Sequence, residues 1–159
     1  MTLRSPDKIR TALFAGSFDP FTVGHASVVE RALPLFDKII IAVGINASKP
    51  GSTPPERRVE AIQRIYASLP AGRVTVIAYE GELTVDLAAR TGARWLLRGV
   101  RSVKDFEYER DLADINRKLS GLETILLYTE PQYAAVSSSV VRELAAYGRE
   151  ISDFLPKPL

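Results

Sequence analysis

Residues 16–25 read GSFDPFTVGH and hold the only histidine of a 159-residue chain. The apolar run before them, TALFAG (11–16), predicts a strand ending at Gly16. After them, His25, Val28, Val29, Ala32 and Phe36 follow the 3.6-residue spacing of an amphipathic helix. Between the two, Asp19-Pro20 is a turn pair, and Thr22 is the predicted N-cap, with Gly24 and His25 in the first helical turn. Free amides at a helix N-terminus attract phosphate, and Gly24 permits close backbone approach. The imidazole then has two readings. It can donate a hydrogen bond to an oxygen that gains negative charge during a reaction, or it can be a core histidine satisfied by a carbonyl, since it also begins the apolar stripe.

The strand–turn–helix unit recurs along the chain. Apolar runs at 38–45 (KIIIAVGI), 73–79 (RVTVIAY), 94–99 (RWLLRG) and 123–129 (ETILLYT) predict four more strands. Several are apolar at consecutive positions, which suits strands covered on both faces. Helices are expected over 22–36, cut short by Pro34, and from the capping box TPPE (53–56) to Leu69. Three more cover 84–91, ending at Gly92, then 103–119 with Tyr108, Leu112, Ile115 and Leu119 on one stripe, and from SSS (137–139) to Gly148. This alternation predicts an α/β, doubly wound, Rossmann-like five-stranded parallel sheet with helices on both faces. It forms one domain over 11–159, after a flexible extension over 1–10. In such sheets ligands bind beyond the carboxyl ends of the strands, where strand order reverses. The segments that follow strands therefore matter most: GSFDPFTVGH, NASKPG (46–51), RGVRSVKDFEYE (98–109) and EPQYAAVSSS (130–139).

Composition removes several function classes. There is no cysteine, so disulfides and thiolate metal sites are excluded, and one histidine excludes a multi-histidine metal cluster. MTLRSPDKIR (1–10) lacks the apolar stretch of a secretory signal, and no window reaches the roughly 18 apolar residues of a membrane span. A soluble, cytoplasmic protein without membrane partners is expected. Arg4, Lys8 and Arg10 against Asp7 account for the whole net charge of +2, so the remainder is neutral and no nucleic-acid partner is expected. Neither G-x-x-x-x-G-K-[ST] nor G-x-G-x-x-G occurs, which leaves another kind of phosphate site.

The candidate residues fit that chemistry, each beside a plainer reading. Arg98 and Arg101 stand across Gly99 at a strand end, where guanidinium forks can hold phosphate oxygens in pairs. They can equally pair with Asp105, Glu107 or Glu109. Lys49 is a point charge in a loop or an ordinary solvated lysine. VSSSVVRE (136–143) offers hydroxyls and free amides at a helix start, and one serine there is the N-cap.

GSFDPFTVGH, RGVRSVKDFEYE and VSSSVVRE, in this order and each after a predicted strand, resemble the phosphopantetheine adenylyltransferases, the T-x-G-H branch of the nucleotidyltransferase superfamily. The resemblance covers about residues 11 to 155. It implies transfer of the adenylyl group of ATP to 4′-phosphopantetheine, giving dephospho-coenzyme A and pyrophosphate, with Mg²⁺ held mainly by the ATP phosphates. It implies His25, Lys49 and Arg101 as catalytic residues. For ATP it further implies Ser17, Phe18, Gly99, Val100, Glu109 and the segment Tyr133, Ala134, Ala135, Val136, Ser137, Ser138 and Ser139. For the acceptor it implies Ser17, Lys49, Thr84 and Arg98. A homohexamer with coenzyme A as a feedback ligand is also implied.

This chain departs from its relatives at Ser17, where threonine is common, at Pro50, where many have a second lysine, and at Thr84, where methionine is frequent. It ends at FLPKPL, before the last helix of many relatives, and altered subunit contacts are expected there. Alternatives are an adenylyl- or cytidylyltransferase acting on another phosphorylated small acceptor, and a non-catalytic nucleotide-binding regulator. An aminoacyl-tRNA synthetase fragment fits less well, because K-M-S-K-S is missing.

Overall fold

The computed structural model describes residues 8–46, 48 and 53–159. Five parallel strands, β1 (Thr11–Gly16), β2 (Lys38–Gly44), β3 (Val74–Tyr79), β4 (Trp95–Val100) and β5 (Glu123–Tyr128), form one sheet in the order β3-β2-β1-β4-β5. The helices α1 (Val23–Ala32), α2 (Pro55–Ile65), α3 (Thr84–Thr91), α4 (Val103–Ser120) and α5 (Ser138–Ala146) lie between and after them. After β3 the chain returns to the other side of β1. The strand order therefore reverses between β1 and β4, which puts the crevice at their carboxyl ends.

Pleat alternation explains the continuous apolar runs. In β2, Ile39, Ile41 and Val43 enter one core with Phe14, Val29 and Ile62, while Ile40 and Ala42 enter the other with Leu13, Leu87 and Leu96. Helix α1 ends at Ala32, two residues before Pro34, whose ring disfavours helical backbone before it. Gly92 closes α3 in the left-handed conformation, φ 74°, as expected of a C-cap glycine.

Two local expectations fail for physical reasons. The capping box at 53–56 does not form: α2 starts at Pro55, and Pro54 takes φ −50°, ψ 136° because it precedes a second proline. Thr53 instead donates its N–H to Asp19 Oδ2, and its carbonyl accepts from Arg58 Nε. The helix ends at Ile65, not Leu69. The second miss concerns α4. The stripe expected to pack inward is largely outside, with Tyr108, Ile115 and Leu119 at 61%, 52% and 63% exposure, while the one buried residue of α4 is Glu109.

Of the expected extension, residues 1–7 lie outside the described residues. Arg10 is fixed to the domain by a two-pronged pair with Asp37, at 2.9 and 3.1 Å. No helix among the described residues is long and apolar enough to cross a membrane.

Candidate active site

A cleft of about 460 Å³ opens at the switch point, lined by the β1–α1 turn, the end of β4, the start of α4 and the N-terminus of α5. It gathers Ser17, Phe18, His25, Arg98, Gly99, Arg101, Glu109, Val136, Ser137 and Ser138. Two further spaces adjoin it through Gly16. One, of about 480 Å³, runs between Ser17, Asn46, Arg58 and the 79–83 turn. The other, of about 250 Å³, contains Thr84, Arg98, Leu112 and Asn116.

His25 stands at the third position of α1, and its Nδ1 accepts the backbone N–H of Thr22 at 3.0 Å. A backbone amide can only donate, so Nδ1 carries no proton and the neutral ring has its N–H at Nε2. The ring is enclosed by Phe18, edge-on at 5.1 Å, and Phe21 at 5.4 Å. Burial, then the charges of Arg101 and Arg98, lowers its pKa to about 4. At neutral pH the imidazole is an uncharged donor. The ring is packed among aromatic side chains and lines the cleft, and its recorded partners are the Thr22 amide and hydroxyl rather than a carbonyl.

Arg98 is tightly held. Nε and Nη2 bind the Glu109 carboxylate at 2.7–3.0 Å, and Nη1 donates to the carbonyl of Ala15 at 2.8 Å. Three of its five N–H groups are engaged, leaving one on each terminal nitrogen, the arrangement that binds a phosphate through two oxygens. Arg101 pairs more loosely with Asp105 at 3.3 Å. The plainer reading of these arginines as ion-pair partners is thus also realised, inside the cleft rather than away from it.

The serines divide their work. Ser137 caps α5 by accepting from Val140 N at 3.2 Å, and Ser138 Oγ donates to the Pro20 carbonyl at 2.8 Å, tying α5 to the β1–α1 turn. Ser139 is exposed and meets Arg142, whose Nη1 donates to the Asp19 carbonyl at 2.6 Å. Asp19 is buried and linked to both α2 and α5.

Other candidates stand elsewhere. The Val100 side chain is buried, and Ala134 and Ala135 are exposed outside the cleft lining. Tyr133 lines a separate space of about 390 Å³ with Glu30, Glu130 and Asp153. Thr84 lies in the adjoining space beside Arg98. Lys49 and Pro50 lie outside the described residues. Phe18 turns its ring inward onto Phe14 and Phe21, with its backbone at φ 46°. A Cβ on Gly99 would meet the Val28 side chain of α1 at 3.0 Å, so glycine there also suits the close packing of β4 against α1.

Arg58 was not singled out by the sequence reading. It is buried and donates to the carbonyls of Ser17, Gly44 and Thr53, binding three loop ends together. Its signal was its place at the head of the inward stripe Arg58, Ile62, Ile65 of α2.

A family model described as cytidylyltransferase-like matches residues 13–144. The chain is 59% identical over 150 residues to a phosphopantetheine adenylyltransferase of Porphyromonas gingivalis, covering 94% of this chain and 96% of that one. It is 53% identical to the protein of that name from Bacteroides thetaiotaomicron, covering 94% and 97%, and 45% identical to that of Latilactobacillus sakei, covering 92% and 88%. Among solved structures, a putative nicotinate-nucleotide adenylyltransferase from Vibrio parahaemolyticus superposes with a TM-score of 0.62 over 94% of this chain and 95% of that one, at 15% identity, a likeness of fold alone. With these relatives matched from end to end and the cleft assembled from the same three motifs, the chain belongs to the phosphopantetheine adenylyltransferase family of nucleotidyltransferases.

Proposed function

We propose that this chain is a cytoplasmic enzyme that transfers the adenylyl group of ATP to the phosphate of 4′-phosphopantetheine, releasing pyrophosphate and forming dephospho-coenzyme A. The observation that carries the reading is a neutral Nε2–H imidazole beside two guanidinium groups at the switch point. In the reaction an oxygen of the acceptor phosphate attacks the α-phosphorus. The bond from that phosphorus to the bridging α–β oxygen breaks, and pyrophosphate leaves with the electron pair. No protein nucleophile takes part, so catalysis consists of alignment and charge stabilisation.

His25 donates from Nε2 to a non-bridging α-phosphate oxygen as charge grows there, a contribution of about 3–4 kcal/mol for such a donor. Arg98, with two N–H groups left over, grips the acceptor phosphate, and Glu109 and the Ala15 carbonyl hold that fork in place. Arg101 and the amides at the start of α5 receive the ATP phosphates. Lys49 completes the acceptor side, and Ser17 stands between the two reactants at the boundary of the adjoining spaces.

Mg²⁺, when bound, would supply charge neutralisation for the ATP phosphates. Among the described residues no three His, Asp or Glu side chains converge, and the carboxylates in the cleft face arginines. Mg²⁺ would then be held mainly by the nucleotide's own oxygens. Coenzyme A, which carries both halves of the product, is proposed to compete for this cleft. Assembly as a homohexamer is supported by the exposed apolar residues of α4 and by Tyr128, 72% exposed on the edge strand β5.

The test is pyrophosphate release from ATP and Mg²⁺ with a panel of phosphorylated acceptors. Release with phosphopantetheine alone is expected. Release with nicotinamide mononucleotide or glycerol phosphate instead would contradict the reading. His25→Ala is expected to lower kcat by about 10²- to 10³-fold with ATP binding retained.

A further inference from the structure

Gly44 and Tyr79 are direct partners across β2 and β3, at the carboxyl end of the sheet. The Tyr79 ring lies over Gly44: a Cβ built there would stand 3.3 Å from the phenol oxygen and 3.4 Å from two ring carbons. Only glycine leaves this seat fully open, and it fixes where the hydroxyl points. Half-buried Tyr79 is a wall shared by both spaces that adjoin the cleft, one containing Ser17 and Arg58, the other Arg98 and Thr84. An acceptor reaching from Arg98 into the space that contains Thr84 lies in a pocket walled in part by this side chain.

Burial raises the phenol pKa, the nearby Arg98 charge opposes that shift, and Glu82 adds to it. The hydroxyl therefore stays protonated through the neutral range and is a donor. No described residue hydrogen-bonds to it. A neutral donor next to the guanidinium assigned to the acceptor phosphate is complementary to an anionic oxygen.

We infer that Tyr79 is a further acceptor-recognition residue, its hydroxyl donating a hydrogen bond to the phosphate of the acceptor held by Arg98. The inference rests on the adenylyl-transfer reading given above. Arginine supplies charge there and the phenol supplies direction, so that the attacking oxygen is turned toward the α-phosphorus of ATP.

The experiment compares the intact protein with Tyr79→Phe, which keeps the ring and removes one oxygen. Steady-state pyrophosphate release is measured while 4′-phosphopantetheine and ATP are varied in turn. Loss of one such hydrogen bond is expected to raise KM for the acceptor about 3- to 10-fold and leave KM for ATP within about twofold. An acceptor KM within about twofold of the intact protein, or equal rises in both KM values, would overturn the inference while leaving adenylyl transfer in place. Absence of turnover by the intact protein with this acceptor would overturn both.

Discussion

The two halves of the sheet carry similar apolar sequences but are buried differently. In β1 and β2, the residues from Ala12 to Ala15 and from Ile39 to Val43 are all buried, sandwiched by α1 and α2 on one face and α3 on the other. In the outer half β4 still buries Leu96, Leu97 and Val100, but β5 has no buried residue and the one buried residue of α4 is charged. Glu109 is buried against Arg98, while Ile115, Leu119 and Tyr128 face outward. The inner half is a core that stands without partners. The outer half places Arg98 and Glu109 in the site and leaves apolar side chains of α4 and β5 exposed, the surface on which the proposed assembly rests.

The largest effect that separates the halves belongs to the inner one. Ile41→Ala removes a fully buried side chain between sheet and helices, and chemical denaturation is expected to show a loss of about 2–5 kcal/mol. A loss below about 1 kcal/mol would mean that this half packs no better than the other.

The second effect lies on the boundary, where His25 is partly buried and under the influence of the outer half's arginines. Its folded pKa, about 4, is below the ordinary 6.5, so the unfolded chain binds more protons through that interval. Stability is therefore greatest above pH 6.5 and falls as pH drops toward 4, by about 3 kcal/mol from this residue. His25→Asn is expected to flatten this slope in unfolding measured from pH 7 to pH 4. An unchanged slope would assign the acid sensitivity to other groups.

The smallest effect is the most discriminating for assembly. Leu119→Ala, on the exposed face of α4, should change the stability of an isolated subunit by less than about 0.5 kcal/mol. Sedimentation should nevertheless show weakened association. Unaltered assembly would mean that this face remains open to solvent.

The same contrast governs how much was legible in the sequence. Strands β1 to β5 were readable to within about a residue, because continuous apolar runs bounded by polar turns report burial on both faces without reference to distant partners. Pro34 and Gly92 ended their helices as their backbone chemistry demands. The motif residues met at the switch point because parallel topology brings every loop that follows a strand to one end of the sheet.

What was illegible depends on long-range pairing. The carbonyls of Ser17 and Gly44 that Arg58 meets, the capture of Thr53 by Asp19, and the three backbone carbonyls of the α1–β2 connection taken by Arg73 are contacts between segments apart in sequence. Periodicity along one segment cannot report them. The α4 stripe misled for a related reason, since apolar spacing along one helix does not report which surface, if any, that face meets. Phe18 at φ 46° is a third case: nothing in GSFDP marks a bulky residue for the left-handed region.

The central claim is that a neutral imidazole, protonated at Nε2 and held by the Thr22 amide, faces the reactants. Because the chain has one histidine, its NMR signals need no assignment among alternatives. A titration followed by ¹H–¹⁵N correlation of the ring nitrogens is expected to give a midpoint near pH 4, with the proton on Nε2 above it. A midpoint near 6.5, or a proton on Nδ1 at neutral pH, would contradict the account.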